Sequence, residues 1–213
     1  RRVYDAVIQA ISGFATLQPK GDPAMVNNLV CDKITSLTAA EAIVAALFQA
    51  ERSGHGQRVE LSMLDASLFF LWPDTMPNYT LLEEGIETVP DGDHSMFMRK
   101  TKDGWIAAMP VQQAEIDGTF KALELDELIG DPRFADFASR ARNRELINEV
   151  MNNAYVKFTT DTLCERFEEN DVPYSRINMR HEIPGDPQVT AMQALWTYDH
   201  PRAGKICSPR PPA

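Results

Sequence analysis

Cysteine is scarce in this chain, positive charge is in deficit, and no long apolar run is present. Three cysteines among 213 residues, Cys31, Cys164 and Cys207, make no CxxC pair and have no histidine at ligand spacing. That pattern argues against a disulfide framework, a metal site and a redox motif. A reducing, cytoplasmic setting and no metal are expected. Lys and Arg number 21 against 31 Asp and Glu, for a net charge of −10. A general nucleic-acid binder or a protein seated on an anionic membrane would carry the opposite balance. A small anionic ligand remains compatible, because a few cations and backbone N–H groups can build its site locally. No stretch approaches the roughly 20 apolar residues of a membrane-spanning helix. There is no GxSxG, Walker loop, HExxH, or GxGxxG after a strand. The chain opens Arg1-Arg2-Val3-Tyr4 without an initiator Met or a targeting segment, so a piece of a longer protein is expected.

What is present is the composition of a globular protein, 44% hydrophobic, 8% aromatic and 24% charged, which excludes wholesale disorder. Residues 1–72 read as α/β. Val7, Ile8, Ala10 and Ile11 have helical spacing, and Gly13 is a stop. Met25 to Cys31 leans apolar and ends in Asp32. The strongest helical pattern runs from Thr38 to Arg52, with a Thr38/Glu41 capping box and Gly54 placed to close it. Its apolar face of Ala40, Ile43, Val44, Leu47 and Phe48 is broad enough to be packed on two sides. Arg58 to Ser62 alternates like a strand, and Met63 to Trp72 reads as a buried helix stopped by Pro73.

Residues 73–93, with three prolines and two glycines among acidic residues, read as a linker. Met96 to Met109 predicts a hairpin around Asp103-Gly104. Helices are expected at about 112–125, 143–153 and 160–170, punctuated by Asp131-Pro132-Arg133-Phe134 and Asp171-Val172-Pro173. The Pro-rich tail, 181–213, is expected to be irregular. The four histidines, His55, His94, His181 and His200, fall in turns or loops and read as solvated.

Asp32 is the residue that position alone singles out. It follows Leu29-Val30-Cys31 and precedes a helix rich in small residues. The end of a strand entering a helix is where open α/β folds bind ligands. A helix cap that satisfies backbone donors would also place an Asp there. Spacing leaves both readings open.

Several segments taken together carry a family resemblance. They are Tyr4-Asp5 with Gln9-Ala10 and Ser12-Gly13, then Asp32, then Ala46-Leu47 with Arg52-Ser53-Gly54-His55-Gly56-Gln57-Arg58-Val59, then Met63-Leu64-Asp65-Ala66. Lys102-Asp103-Gly104-Trp105, Asp131-Pro132-Arg133-Phe134, Val172-Pro173 and His200-Pro201-Arg202-Ala203-Gly204 continue the series. In this order they resemble the class III CoA-transferases, the CaiB/BaiF-like family of formyl-CoA transferase and the carnitine and bile-acid CoA-transferases, which also includes the α-methylacyl-CoA racemases. The resemblance covers the whole chain and matches the second half of members about twice as long.

The resemblance implies an α/β fold of the interlocked-dimer type. Residues 1–72 would be part of a Rossmann-like large CoA-binding domain and 73–93 a linker. Residues 94–180 would form a smaller α+β domain, with 181–213 returning toward the large one. It implies that Asp32 is the nucleophile in transfer of coenzyme A between an acyl-CoA and a free carboxylic acid through an aspartyl-CoA intermediate. A thiol of pKa roughly 8.5 is a good leaving group, so no strong general acid is needed. It further implies that Arg2, Val3, Tyr4 and Asp5 line bound CoA and that Met63 packs near its thiol end. The partners implied are acyl-CoA, a carboxylate and a second copy of the chain, with no nucleic acid, membrane or metal. Racemase-like members carry a His where this chain has Tyr4, and a tyrosine of pKa about 10 is a poor base near neutrality. Residues 91–97 lack the glycine run of formyl-CoA transferase, which argues against formate and oxalate as substrates. The alternatives are a racemase-like isomerase and a non-catalytic fragment.

Overall fold

In the computed structural model, which describes residues 3–17, 22–86 and 97–211, the chain divides into two units, Arg1–Asp93 and His94–Ala213. Together they form a mixed helix-and-sheet protein. Among the described residues, no helix is long and apolar enough to cross a membrane.

Three helices make up the described part of the first unit. Helix α1 (Asp5–Ser12) ends at Gly13, whose φ of 101° is a left-handed conformation suited to glycine. Helix α2 (Val30–Ser53) ends at Gly54, φ 75°, whose N–H donates to the Ala50 carbonyl. Helix α3 (Met63–Thr75) is capped by Ser62, whose hydroxyl accepts the Asp65 N–H. Each helix contributes to one small core: Ile8 and Phe14 from α1 and the turn after it, Cys31 and Ile34 from α2, Ala66 and Leu71 from α3.

Five sequence expectations fail in this unit. Residues 1–72 read as α/β, but the described residues there form helices and no strand, so Asp32 follows no strand and lies within a helix. Four local readings fail as well. Helix α2 starts at Val30 rather than Thr38. The Thr38 hydroxyl therefore does not cap but bonds back to the Ile34 carbonyl at 3.0 Å, as hydroxyls do in helix interiors. The broad apolar face of α2 is not packed on two sides. Ile43, Val44, Leu47 and Phe48 are exposed, Val44 at 65%, although the Arg52 guanidinium of the same helix lies 5.5 Å from the centre of the Phe48 ring. Residues 58–62 form no strand, because an extended segment needs a hydrogen-bonded neighbour and no described residue provides one. Finally, Pro73 does not stop α3. The last turn persists through the Thr75 hydroxyl bonded to the Leu71 carbonyl and the Met76 N–H bonded to that of Trp72, and Phe69 and Phe70 are exposed. Pro77–Tyr79 form a 3-10 turn, and residues 87–93 lie outside the described set.

The second unit contains the expected hairpin. Strands β1 (Met98–Lys100) and β2 (Trp105–Ala108) pair antiparallel with Lys100 opposite Trp105, and β3 (Tyr174–Arg176) adds antiparallel to β2. The turn is closed by Thr101, whose hydroxyl accepts the Gly104 N–H, and by Asp103, whose carboxylate accepts the Thr160 N–H at 2.8 Å. Helices α4 (Gln113–Ala122), α6 (Arg144–Tyr155) and α7 (Thr160–Glu169) fall where periodicity puts them. The short α5 (Phe137–Arg142) and α8 (Pro187–Ala191) do not appear in the hydrophobic pattern. Ile106, Leu123, Tyr155, Leu163 and Phe167 form the main core against the sheet, and Ile116, Phe120, Leu128 and Phe134 a second cluster. The tail is not irregular throughout. Strands β4 (Leu195–His200) and β5 (Gly204–Pro209) pair across six registered positions around Gly204, φ 73°. The alternation within Leu195–His200 is masked by the surrounding prolines, none of which sits inside β4.

Candidate functional site

Helix α1 is two-faced in an unusual way, because its buried stripe includes three polar side chains beside Ile8: Asp5 and Gln9, at i and i+4, and Ser12. Asp5 is 3% exposed and Gln9 2%. Groups so buried must be hydrogen-bonded, and both are. The Gln9 amide oxygen accepts the Val26 N–H at 2.8 Å, while its nitrogen donates to the Asn28 carbonyl at 3.0 Å and to Asp5 Oδ1 at 2.5 Å. The other Asp5 oxygen, Oδ2, accepts the backbone N–H of Cys31 at 2.8 Å and of Asp32 at 3.2 Å.

That arrangement explains why α2 begins where it does. The residue before it, Leu29, has no side-chain oxygen, so the helix cannot cap itself. Asp5 caps it instead from 27 positions upstream of Asp32. A full negative charge on the free N–H groups is favoured by the helix dipole.

Asp32 is the third residue of α2 and half-buried. Among the described residues, no hydrogen bond or ion pair reaches its carboxylate; its backbone N–H donates to Asp5 and its backbone carbonyl accepts the Ser36 hydroxyl at 2.8 Å. Its neighbour Cys31 turns the other way, fully buried, and burial pushes that thiol up, against the lowering effect of the Ser67 hydroxyl. Thus Cys31 anchors the turn in the core while Asp32 projects from it.

The other residues singled out from sequence fall on α1, the residues before it and α3. Tyr4 precedes α1 in extended conformation and is 79% exposed; Val3 is exposed as well. Met63 opens α3, half-buried, and packs against the same cluster that holds Cys31 and Ile34. Arg2 lies outside the described residues. Asp5, expected along the ligand, has both oxygens engaged by the chain itself. Gln9 is not among the site residues that the sequence singles out, although its place at i+4 from Asp5, on the face that Ile8 marks as buried, is a readable signal for it.

Among the described residues, no cluster of three or more His, Cys, Asp or Glu could hold a metal ion. His200 is used by its own turn, its Nδ1 accepting the N–H groups of Arg202 and Ala203.

A half-buried, unpaired carboxylate on the first turn of a helix is an arrangement suited to nucleophilic attack. The comparisons agree with the family resemblance. Succinyl-CoA:glutarate CoA-transferase of Homo sapiens is 28% identical over 216 residues, covering 99% of this chain and 49% of that protein. Succinyl-CoA--D-citramalate CoA-transferase of Chloroflexus aurantiacus is 26% identical over 93% of this chain and 49% of its own length. The chain thus spans about half the length of the curated relatives it matches. Among solved structures, Rv3272 from Mycobacterium tuberculosis superposes with a TM-score of 0.81 at 20% identity, covering 100% of this chain and 57% of that one. A CaiB/BaiF family protein from Brucella suis gives a TM-score of 0.68 at 23% identity, over 100% and 60%. The family description CoA-transferase family III matches residues 1–213 without a break, and the chain belongs to that family.

Proposed function

We propose that the protein transfers coenzyme A from succinyl-CoA to a free dicarboxylate through a thioester on Asp32. The observation that carries this reading is the Asp32 carboxylate, held on the first turn of α2 and hydrogen-bonded to no described residue. In water a carboxylate is a weak nucleophile because its lone pairs are solvated; a half-buried one without protein donors has lost part of that shell. Its oxygen attacks the thioester carbonyl, the C–S bond breaks, and CoA leaves as thiolate with the bonding pair. The thiolate then attacks the Asp32 carbonyl of the mixed anhydride and releases succinate, which leaves aspartyl-CoA. The acceptor carboxylate repeats the two steps in reverse. One difficult exchange becomes several easier ones.

The substrate choice rests on the relatives, whose names couple succinyl-CoA to glutarate, D-citramalate or mesaconate. Val3, Tyr4 and Met63, grouped around the N-terminal ends of α1 and α3, are the contacts proposed for CoA, with Arg2 as a phosphate partner. In this reading residues 1–72 belong to a large CoA-binding domain, 73–93 are its linker, 94–180 form the small domain and 181–213 return toward the large one. The exposed apolar face of α2 supports a homodimeric assembly. The three free cysteines suit a cytoplasmic setting.

The test uses the intact protein and its Asp32→Ala variant. Each is incubated with succinyl-CoA, quenched with borohydride or hydroxylamine, and mapped by peptide mass spectrometry. A modified Asp32 peptide, absent from the variant, is expected. An unmodified Asp32 together with α-proton exchange into solvent would overturn the reading.

A further inference from the structure

We infer that Asp5 is a positioning residue for Asp32 rather than a contact of the ligand, an inference that rests on Asp32 being the nucleophile. The first turn of any helix carries N–H groups without intrahelical partners, and a carboxylate in that turn is their natural acceptor. Asp32 sits in such a turn. Its own carboxylate would be drawn back onto the N–H groups of Cys31 and Asp32 if nothing else claimed them, and each hydrogen bond accepted there would lower its nucleophilicity. Asp5 claims them, at 2.8 and 3.2 Å through a single oxygen. The backbone donors are satisfied by a carboxylate that does no chemistry, and the one that does is left free. The negative charge of Asp5, on the core side of the turn, also turns Asp32 away by like-charge repulsion.

Asp5 can do this because it cannot move. It is 3% exposed, and its second oxygen is held by the Gln9 amide at 2.5 Å. The orientation of that amide is dictated in turn. Its oxygen faces the Val26 N–H, and its nitrogen faces Asp5 Oδ1 and the Asn28 carbonyl at short range and the Val26 carbonyl at 3.4 Å. A flipped amide would set oxygen against oxygen at each of these acceptors. The segment from Val26 to Asn28 that leads into α2 is therefore pinned to α1 by the same side chain that fixes Asp5. The chain of contacts runs from Gln9 to Asp5 to the α2 turn to Asp32, and each link is a hydrogen bond of an almost fully buried group.

The intact protein tests this with Asp5→Ala and Asp5→Asn, the second keeping one acceptor oxygen for the turn. Three readouts separate the possibilities: kcat and KM with succinyl-CoA, borohydride trapping at Asp32, and amide hydrogen exchange of the 29–34 segment. Asp5→Ala is expected to lower kcat by roughly 100-fold, the scale of an ångström of misplacement, with KM for acyl-CoA nearly unchanged and exchange of the Cys31 and Asp32 amides accelerated. Asp5→Asn is expected to recover part of kcat and to slow that exchange again. If Asp5→Ala fails to fold, as a thermal melt would show, Asp5→Asn carries the same comparison against wild type. A rise in KM with kcat preserved would make Asp5 a ligand contact and overturn the inference. So would exchange at Cys31 and Asp32 that is unchanged by both variants. Absence of any trapped adduct in the wild type is a different failure, because it overturns Asp32 as nucleophile whatever the exchange data say about Asp5.

Discussion

Gly118 lies in the middle of α4, where helix propensity and packing make opposite demands. On propensity alone, Gly118→Ala should stabilise the helix by about 1 kcal/mol, since alanine loses less backbone entropy. The tertiary structure reverses the sign. A Cβ at this position would lie 2.4 Å from the backbone oxygen of Asn170 and 3.2 Å from Cγ2 of Val172. The Asn170 carbonyl cannot rotate away as a side chain would. It belongs to the turn that ends α7, where the Asn170 and Val172 N–H groups both bond to the Phe167 carbonyl and Asp171 has φ 53°. Restoring ordinary contact needs a displacement of about 1 Å, which α4 or that turn must absorb. Overpacking of this kind costs about 1–3 kcal/mol, and a backbone obstacle sits at the upper end. After subtracting the propensity gain, Gly118→Ala should be destabilised by about 2 kcal/mol. At 2–4 °C per kcal/mol for a chain of this size, the melting temperature should fall by about 4–8 °C. Urea denaturation followed by circular dichroism, alongside a calorimetric melt, measures both. A variant as stable as wild type or more so would refute the close approach of α4 to the end of α7.

Acid should weaken the second unit, and the sign follows from its carboxylates. Asp103 is held below the usual range first by the Thr160 N–H, Glu115 by the Gln112 and Val111 N–H groups, Asp131 by the Arg133 guanidinium, and Asp136 by the Ser139 N–H. Because their folded pKa values lie below the unfolded ones, the stability they contribute is present above about pH 4 and lost as pH falls through the folded values. Denaturation midpoints measured from pH 7 to pH 3 should therefore drop, with a shallower slope in Asp103→Asn; a flat profile would contradict the assignment. Thiol reactivity should separate the three cysteines. Cys207 is exposed, while burial raises the thiols of Cys31 and Cys164 and reduces their thiolate fraction. Peptide-mapped iodoacetamide labelling at pH 7.5 should modify Cys207 in the native protein and all three in denaturant. Rapid native labelling of Cys31 would mean that the α2 turn is not seated in the core as described.

The parts of this protein that its sequence determined are those whose causes are local. The Asp103-Gly104 turn formed because both strands and their turn residues lie within a dozen positions. Helices α4, α6 and α7 fell where apolar periodicity placed them, and Gly13 and Gly54 ended their helices with positive φ. Asp32 stood out in the sequence by an apolar run before it and a helical pattern after it, although folding places it inside α2 as its third residue, and the family order of motifs was legible along the whole chain. The tertiary structure decided what depends on residues far apart. The start of α2 could not be read from Leu29 and Val30, because the group that caps it is the Asp5 carboxylate, carried on another helix. A local rule applied there picked Thr38, which has a capping box in its sequence but sits inside the helix. Whether Arg58–Ser62 pairs as a strand, or the apolar face of α2 is covered, depends on neighbours that periodicity does not name. The same holds for the candidate site. A sequence can show that an aspartate is present, but whether its carboxylate is spent on the backbone or left free is decided by a second carboxylate brought to the same turn by folding.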